Sequence, residues 1–229
     1  MVPGRKVAVV IAAYNEEHKI GDVVRGVREA GYGNVIVVDD GSRDQTLERA
    51  SDANATVLQH VINRGQGAAL KTGIDYALKE GADIIVTFDA DGQHDPKEIA
   101  TVVTPVANGT VEIALGSRFL HAGSNVPLVR RVALKGGALL MRIMYGLRLT
   151  DSHNGFRALS SKALHRMDLR ADRMEHASEI VDEMAKKRVR YCEVPVTIRY
   201  TDYSVKNSKQ GAMPAIRIAW KMLMQKVMR

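Results

Sequence analysis

Two aspartates separated by one small residue, Asp89-Ala90-Asp91, follow directly on the apolar run Ile84-Ile85-Val86-Thr87-Phe88. That run has the length and β-branched content of a buried strand, so it delivers both carboxylates to one strand end. Two hard oxygen ligands there, with Gln93 offering a third oxygen, suit a Mg²⁺ or Mn²⁺ ion that keeps positions open for phosphates. The carboxyl edge of an α/β sheet is also where nucleotides bind. The chemistry this suggests is transfer from a nucleotide-activated substrate. Asp and Gly also end strands by making plain turns. An EF-hand loop begins with Asp-x-Asp too, but it needs Gly at its sixth position and Glu at its twelfth. Here those positions are His94 and Ala100, which excludes it.

The elements that must position these groups alternate along the chain. Strand-like runs recur at Val7–Ala12, Val35–Val38, Thr56–Gln59, Ile84–Phe88 and Val111–Leu115, with helical patterns near Ile20–Ala30, Asp44–Ala53, Gly67–Lys79 and Pro96–Val106 between them. The strands are almost wholly apolar, as expected when helices cover both sheet faces. This predicts an α/β fold with one Rossmann-like, mainly parallel sheet. After Gly116 the spacing predicts a long helix over roughly Val129–Leu147, a helix at Ala177–Lys187, a strand at Tyr191–Thr197, a polar loop Arg199–Gly211 and a final amphipathic helix. A single domain over 1–229 is expected, with a nucleotide-binding half (1–118), an acceptor half (119–211) and a C-terminal helix (212–229).

Composition narrows the setting. The chain has 229 residues and one cysteine, Cys192, so it holds no internal disulfide, and a reducing compartment is expected. Met1–Lys6 does not have the form of a secretory signal, and no stretch has the uncharged length that spans a bilayer. Of the net charge of +7, much sits at the end: from Lys186 to Arg229 there are eleven basic residues and two acidic ones. Such a segment suits an anionic partner, although a merely solvated basic face has the same composition. No zinc spacing, RNA-binding aromatic motif or DNA-reading basic helix is present, which sets a nucleic-acid module aside.

Three further loops face the same edge. The first strand runs into Ala12-Ala13-Tyr14-Asn15-Glu16-Glu17, where a dinucleotide fold would carry Gly-x-Gly-x-x-Gly, so an NAD enzyme is disfavoured. Tyr14 can pack on a base or ribose, while Asn15 and Glu16 can cap the next helix. The second strand ends in Val38-Asp39-Asp40-Gly41-Ser42, where one carboxylate can accept from uracil, guanine or ribose hydroxyls. Ser42 and Gln45 have the spacing of a capping box. Asn63-Arg64-Gly65-Gln66-Gly67 precedes a helix but lacks Gly directly before Lys71, so it is no Walker motif. Its glycines, Gly67 among them, and the helix N-terminus can still approach a nucleotide closely, and a plain turn fits the same residues.

With Ala-Ala-Tyr-Asn-Glu, Val-Asp-Asp-Gly-Ser, Asp-Ala-Asp-Gly-Gln-His and Gly116-Ser117-Arg118 in this order, the chain resembles family-two glycosyltransferases of the glycosyltransferase A fold. Within them it is most similar to the polyprenol- and dolichol-phosphate sugar synthases. The resemblance implies a nucleotide site at Ala12, Tyr14, Glu16, Val38 and Asp40, together with Gly67, Asp89 and Ala90. It implies metal ligation by Asp89, Asp91 and Gln93, and a catalytic set of Asp91, Arg118 and Arg131. Arg199, Lys206 and Lys209 are read as phosphate contacts. Two departures stand out: Ala12 occupies the family's usual proline position, and the loop Arg199–Gly211 is a variant.

The implied reaction is one displacement at the anomeric carbon of a GDP-mannose or UDP-glucose type donor, with inversion. A polyprenyl phosphate acceptor needs no general base, and Arg118, Arg130 and Arg131 would hold it. A saccharide or glycolipid hydroxyl would need one, with Asp151, His153, His176 or Glu179 as candidates. A phosphotransferase or nucleotidyltransferase is the other enzyme class such an acidic site admits. Met213, Ile216, Trp220, Leu223 and Val227 form one helical stripe, apart from Arg217, Lys221 and Lys226, which suits a membrane interface. Packing on the domain, or on a second copy in a homodimer, fits that stripe as well. The expected location is cytoplasmic, peripheral to the inner face of the cell membrane.

Overall fold

The structure is a computed structural model that describes residues 4–120, 142, 146–151, 154–173 and 175–199. Strands β1 (Val7–Ala13), β2 (Val35–Asp39), β3 (Thr56–Gln59), β4 (Ile84–Asp89) and β5 (Ile113–Ser117) fall where the apolar runs predict them. Helices α1 (Ile20–Glu29), α2 (Thr46–Asp52), α3 (Gln66–Lys79) and α4 (Ile99–Ala107) connect them. Then follow β6 (Arg157–Ser160), the short α5 (Ser161–Leu164), α6 (His176–Lys186) and β7 (Tyr191–Pro195). Nothing in the apolar pattern marks β6 or α5. Most of the helix expected over Val129–Leu147 lies outside the described residues, as does the whole C-terminal helix.

The seven strands form one sheet in the order β3-β2-β1-β4-β6-β5-β7. All neighbours are parallel except β6, which runs antiparallel to both β4 and β5. The two expected halves therefore share one sheet, because β6 and β7 come from the second. The pleat sorts the core into two layers. Val9, Ile11, Val37, Val86 and Phe88 pack with Val24 and Val27 of α1 and Val102 and Val103 of α4. Val10, Ile36, Val38 and Ile85 face the other way, against Leu70 and Ile74 of α3 and Ile180 and Met184 of α6. Helices thus cover both faces, and the polar groups are left to the strand ends. Among the described residues no helix is long and apolar enough to cross a membrane.

Candidate active site

The register brings three loop starts together. Ala12 of β1 lies between Val38 of β2 and Asp89 of β4, so Tyr14, Asp40 and Asp91 leave the same edge side by side. Tyr14 is 44% exposed, whereas Val38, Asp40 and Ala90 are buried.

The loops after β1 and β2 are laced to each other. The Asn15 amide donates to Ser42 Oγ at 2.9 Å, and Asn15 Oδ1 accepts from the Arg43 amide at 2.9 Å. The Glu16 amide donates to Thr46 Oγ1, and the Glu17 amide to Asp44 Oδ2, while Glu17 Oε2 accepts from the Gln45 amide. This corrects the reading of Asn15, Glu16, Ser42 and Gln45 as helix caps. Neither α1 nor α2 has a side-chain cap bond at its N-cap residue; the Asn15 and Ser42 side chains bond the opposite loop, and Gln45 Oε1 accepts from Arg49 one turn on.

Asp40 is likewise committed inside the protein. Its Oδ1 accepts from His60 Nδ1 at 2.7 Å and from the Arg64 amide at 3.0 Å; its Oδ2 accepts from the Gly65 amide at 2.7 Å. Gly67, expected to admit a nucleotide, instead admits the chain itself. A Cβ there would collide with the Ala171 and Arg173 carbonyls, and the N-terminal Ala68 amide of α3 donates to the Asp172 carbonyl at 2.8 Å.

At the end of β4 the carboxylates have different surroundings. Asp89 Oδ2 meets His94 Nε2 at 2.8 Å, and the His94 ring lies between Phe88 and Phe156. Burial pushes the Asp89 carboxyl up, but the His94 bond and the nearby His94, His176 and Arg157 charges hold it below its usual range. Gly155 crosses so closely that a Cβ on it would stand 2.5 Å from Asp89 Oδ1. Asp91 goes the other way, raised by burial and then by the charge of Asp89. Gln93, expected to offer an oxygen, donates to Asp91 through Nε2 at 2.6 Å and through its amide at 3.0 Å.

Beneath this edge runs a row of alternating charges that the sequence did not disclose. Arg157 pairs in register with Thr87, two residues before Asp89 on the same face of the sheet. Its Nε donates to the Asn154 carbonyl at 2.9 Å, and burial lowers it to about 10 against the pull of Asp89 and Asp151. Asp151 Oδ2 accepts from Arg118 Nε at 2.6 Å and from the Arg118 amide. Arg118, expected beside the phosphates, is 7% exposed and held in that ion pair.

Two other candidate bases are occupied. Glu179 accepts from the Arg170 and Ala171 amides, and His176, lowered to about 4 by burial and then by Arg157, has Nδ1 2.9 Å from the Arg173 carbonyl. Arg199 reaches Asp95 Oδ2 at 2.5 Å, and its amide donates to the Gln93 carbonyl, which places it beside the Asp91–Asp95 loop. Arg130, Arg131, His153, Lys206 and Lys209 lie outside the described residues.

The donor set fits a hard divalent ion. Glu16 is raised to about 7, by burial first and then by the charges of Asp91 and Asp44, and its Oε2 is buried with no hydrogen-bond partner among the described residues. Asp91 is raised beside it, so the edge holds carboxylate charge that a cation would balance. Among the described residues no three His, Cys, Asp or Glu side chains converge on one point.

In metal-free buffer, Glu16→Gln is expected to raise the melting temperature at pH 8 and change it little below pH 4.5. The folded value of about 7 exceeds the ordinary 4.5, so the stability tied to protonated Glu16 is complete below 4.5 and is lost as pH rises through 7. A difference between variant and parent that stays flat across a pH series in EDTA would rule this out.

Comparison with known proteins places this site in context. Residues 8–168 match the family described as glycosyl transferase family 2. The chain is 37% identical to the UDP-N-acetylglucosamine–dolichyl-phosphate N-acetylglucosaminyltransferase of Methanococcus voltae, over 96% of this chain and 95% of that protein. It is 33% identical to the undecaprenyl-phosphate mannosyltransferase of Micrococcus luteus, over 84% and 83% respectively. In fold it is similar to the glucosyl-3-phosphoglycerate synthase of Mycobacterium tuberculosis, crystallised with Mn²⁺ and uridine-diphosphate-glucose. The TM-score is 0.72, at 20% identity, covering 96% of this chain and 77% of that one.

Proposed function

The chain belongs to glycosyl transferase family 2 and is a glycosyltransferase of the glycosyltransferase A fold, and from that premise we propose that it transfers a hexose from a nucleoside-diphosphate sugar to a polyprenyl phosphate, with inversion. The observation that carries the acceptor class is the state of the candidate bases. Asp151 is ion-paired with Arg118, Glu179 holds two backbone amides, and His176 is tuned to about 4. Each of these three described candidates is thus engaged or tuned away from taking a proton off a sugar hydroxyl by its surroundings, and the fourth, His153, lies outside the described residues. A phosphate monoester is already anionic and asks for no such group. The names of the relatives above, which act on dolichyl and undecaprenyl phosphate, point the same way.

In this reading the nucleoside lies against Tyr14 at the ends of β1 and β2, and the diphosphate over the end of β4. Asp91 and Asp89, with Glu16 beside them, would hold the Mg²⁺ or Mn²⁺, which when bound offsets the charge building on the leaving diphosphate. His94 and Gly155 keep the Asp89 carboxylate in one position. A lipid-phosphate oxygen forms its bond to the anomeric carbon as the bond to the diphosphate breaks on the opposite face. Arg199, anchored to Asp95 at the rim, adds positive charge beside the departing phosphates. A lipid acceptor places the enzyme at a membrane surface, where the basic C-terminal segment complements anionic headgroups.

The test is product formation from UDP- and GDP-sugars with and without polyprenyl phosphate. His176→Ala is expected to keep activity within a few-fold, since losing a true general base costs roughly 10²–10⁴-fold. No product on polyprenyl phosphate, with a new glycosidic bond on a saccharide or glycolipid, would move the assignment to a hydroxyl acceptor.

A further inference from the structure

Resting on the donor reading above, we propose that His60 is a positioning residue for the nucleoside: it fixes Asp40, and the two together set Val61 and Ile62 as the apolar flank of the base site. The geometry forms a latch with three attachments. β3 ends at Gln59, and the His60 amide donates to the Asp39 carbonyl at 2.9 Å, which continues the sheet register by one residue. The His60 ring, with its side chain 10% exposed, then places Nδ1 2.7 Å from Asp40 Oδ1 and Nε2 3.0 Å from Thr72 Oγ1 on α3. After three residues the chain returns to the same carboxylate through the Arg64 and Gly65 amides. Both ends of the 61–63 loop are therefore pinned on Asp40.

What the latch holds out is unusual. Val61 is 98% exposed and Ile62 69% exposed, and the chain passes so close to Gly41, directly after Asp40, that a Cβ there would collide with the Ile62 and Asn63 backbone. Two aliphatic side chains held in water at a rigid position are suited to cover an apolar surface. The described large hydrophobics that are exposed also include Tyr14, at the end of neighbouring β1. A nucleobase entering beside Tyr14 would gain an aromatic contact from β1 and an aliphatic one from the loop after β3. Asp40 holds the loop through the three bonds its oxygens accept, which leaves acceptor capacity for a nucleoside donor as well.

The test separates the two ring nitrogens of His60. In His60→Asn the side-chain amide reaches the place of Nδ1 and keeps a donor for Asp40; in His60→Gln it reaches the place of Nε2 and keeps only Thr72. Calorimetric affinity for UDP and GDP with Mn²⁺, donor KM and kcat, and melting temperature are measured for both. His60→Gln is expected to weaken binding and raise donor KM by on the order of tenfold, with kcat at saturating donor within about twofold. His60→Asn is expected to stay within about threefold of wild type in affinity. Val61→Ser/Ile62→Ser, altered only at exposed positions, is expected to melt like wild type and also to lose affinity. Equal behaviour of the Asn and Gln variants, or unchanged affinity in the double variant, would overturn the latch and leave the donor reading standing. A wild-type protein that binds neither UDP nor GDP would overturn both.

Discussion

Asp91→Ala is expected to reduce transfer by roughly a thousandfold or more, the scale on which losing a metal-holding carboxylate acts on a developing diphosphate charge. The fold should survive. Asp91 sits at the sheet edge and, among the described residues, accepts from the Gln93 amide and side chain, a contribution of about 1 kcal/mol each. Its removal also relieves repulsion, since Asp91 is raised by burial and by Asp89, and Glu16 is raised in part by Asp91. Unfolding curves should therefore lie close to wild type while single-turnover transfer disappears, and Asp91→Asn should share the defect because an amide cannot replace the charge. Full activity in either variant, or undiminished wild-type turnover in EDTA, would remove the metal from this assignment.

Arg157→Met is expected to be the most destabilising single change at the site, by about 3–5 kcal/mol, the range for stripping one partner from a buried ionic group. Methionine approximates the volume but leaves Asp89 and Asp151 without the guanidinium between them, and it drops the bond to the Asn154 carbonyl. Urea unfolding at pH 7 measures this directly. Asp89 is held below its ordinary value in the folded protein, so its stabilising share is present above the unfolded pKa of about 3.9 and is lost as pH falls through the folded value. The gap between Arg157→Met and wild type should accordingly narrow below about pH 4. A gap of less than about 1 kcal/mol at pH 7 would mean that Arg157 is a packed side chain and no charge balance.

The contrast between these residues shows what the chain discloses on reading. Asp91 was legible because β4 is an apolar run of strand length and the acidic pair follows it without interruption. The same logic located β1, β2, β3 and β5 and the helices between them, since burial on both faces leaves long apolar strands. Arg157 was not legible. β6 has only four residues and begins with a charged one, so no periodicity marks it, and its charge makes sense only once Asp89 and Asp151 are seen as neighbours. His94 was visible only as part of a motif. That its ring is packed between two phenylalanines and orients Asp89 depends on Phe156, far away in sequence. The cap readings of Asn15 and Ser42 failed for a related reason. Local spacing finds local partners, whereas those side chains bond a loop 27 or 28 residues away.

The antiparallel β6 strand has a consequence for how the enzyme comes into being. It stands between β4 and β5, so the sheet cannot close around its centre until the chain has been made well past residue 150. The contact of Thr87 Oγ1 with the Gly155 carbonyl joins residues 68 apart in sequence, a closure whose entropy must be met before the contact returns anything. The Asp-x-Asp edge is thus synthesised early and completed late. A nascent chain that carries β1–β5 already holds its acidic pair, yet it lacks the guanidinium and the close-fitting glycine that hold Asp89 in place. The acidic edge therefore takes its final form only once Gly155 and Arg157 have been made and β6 has paired with β4.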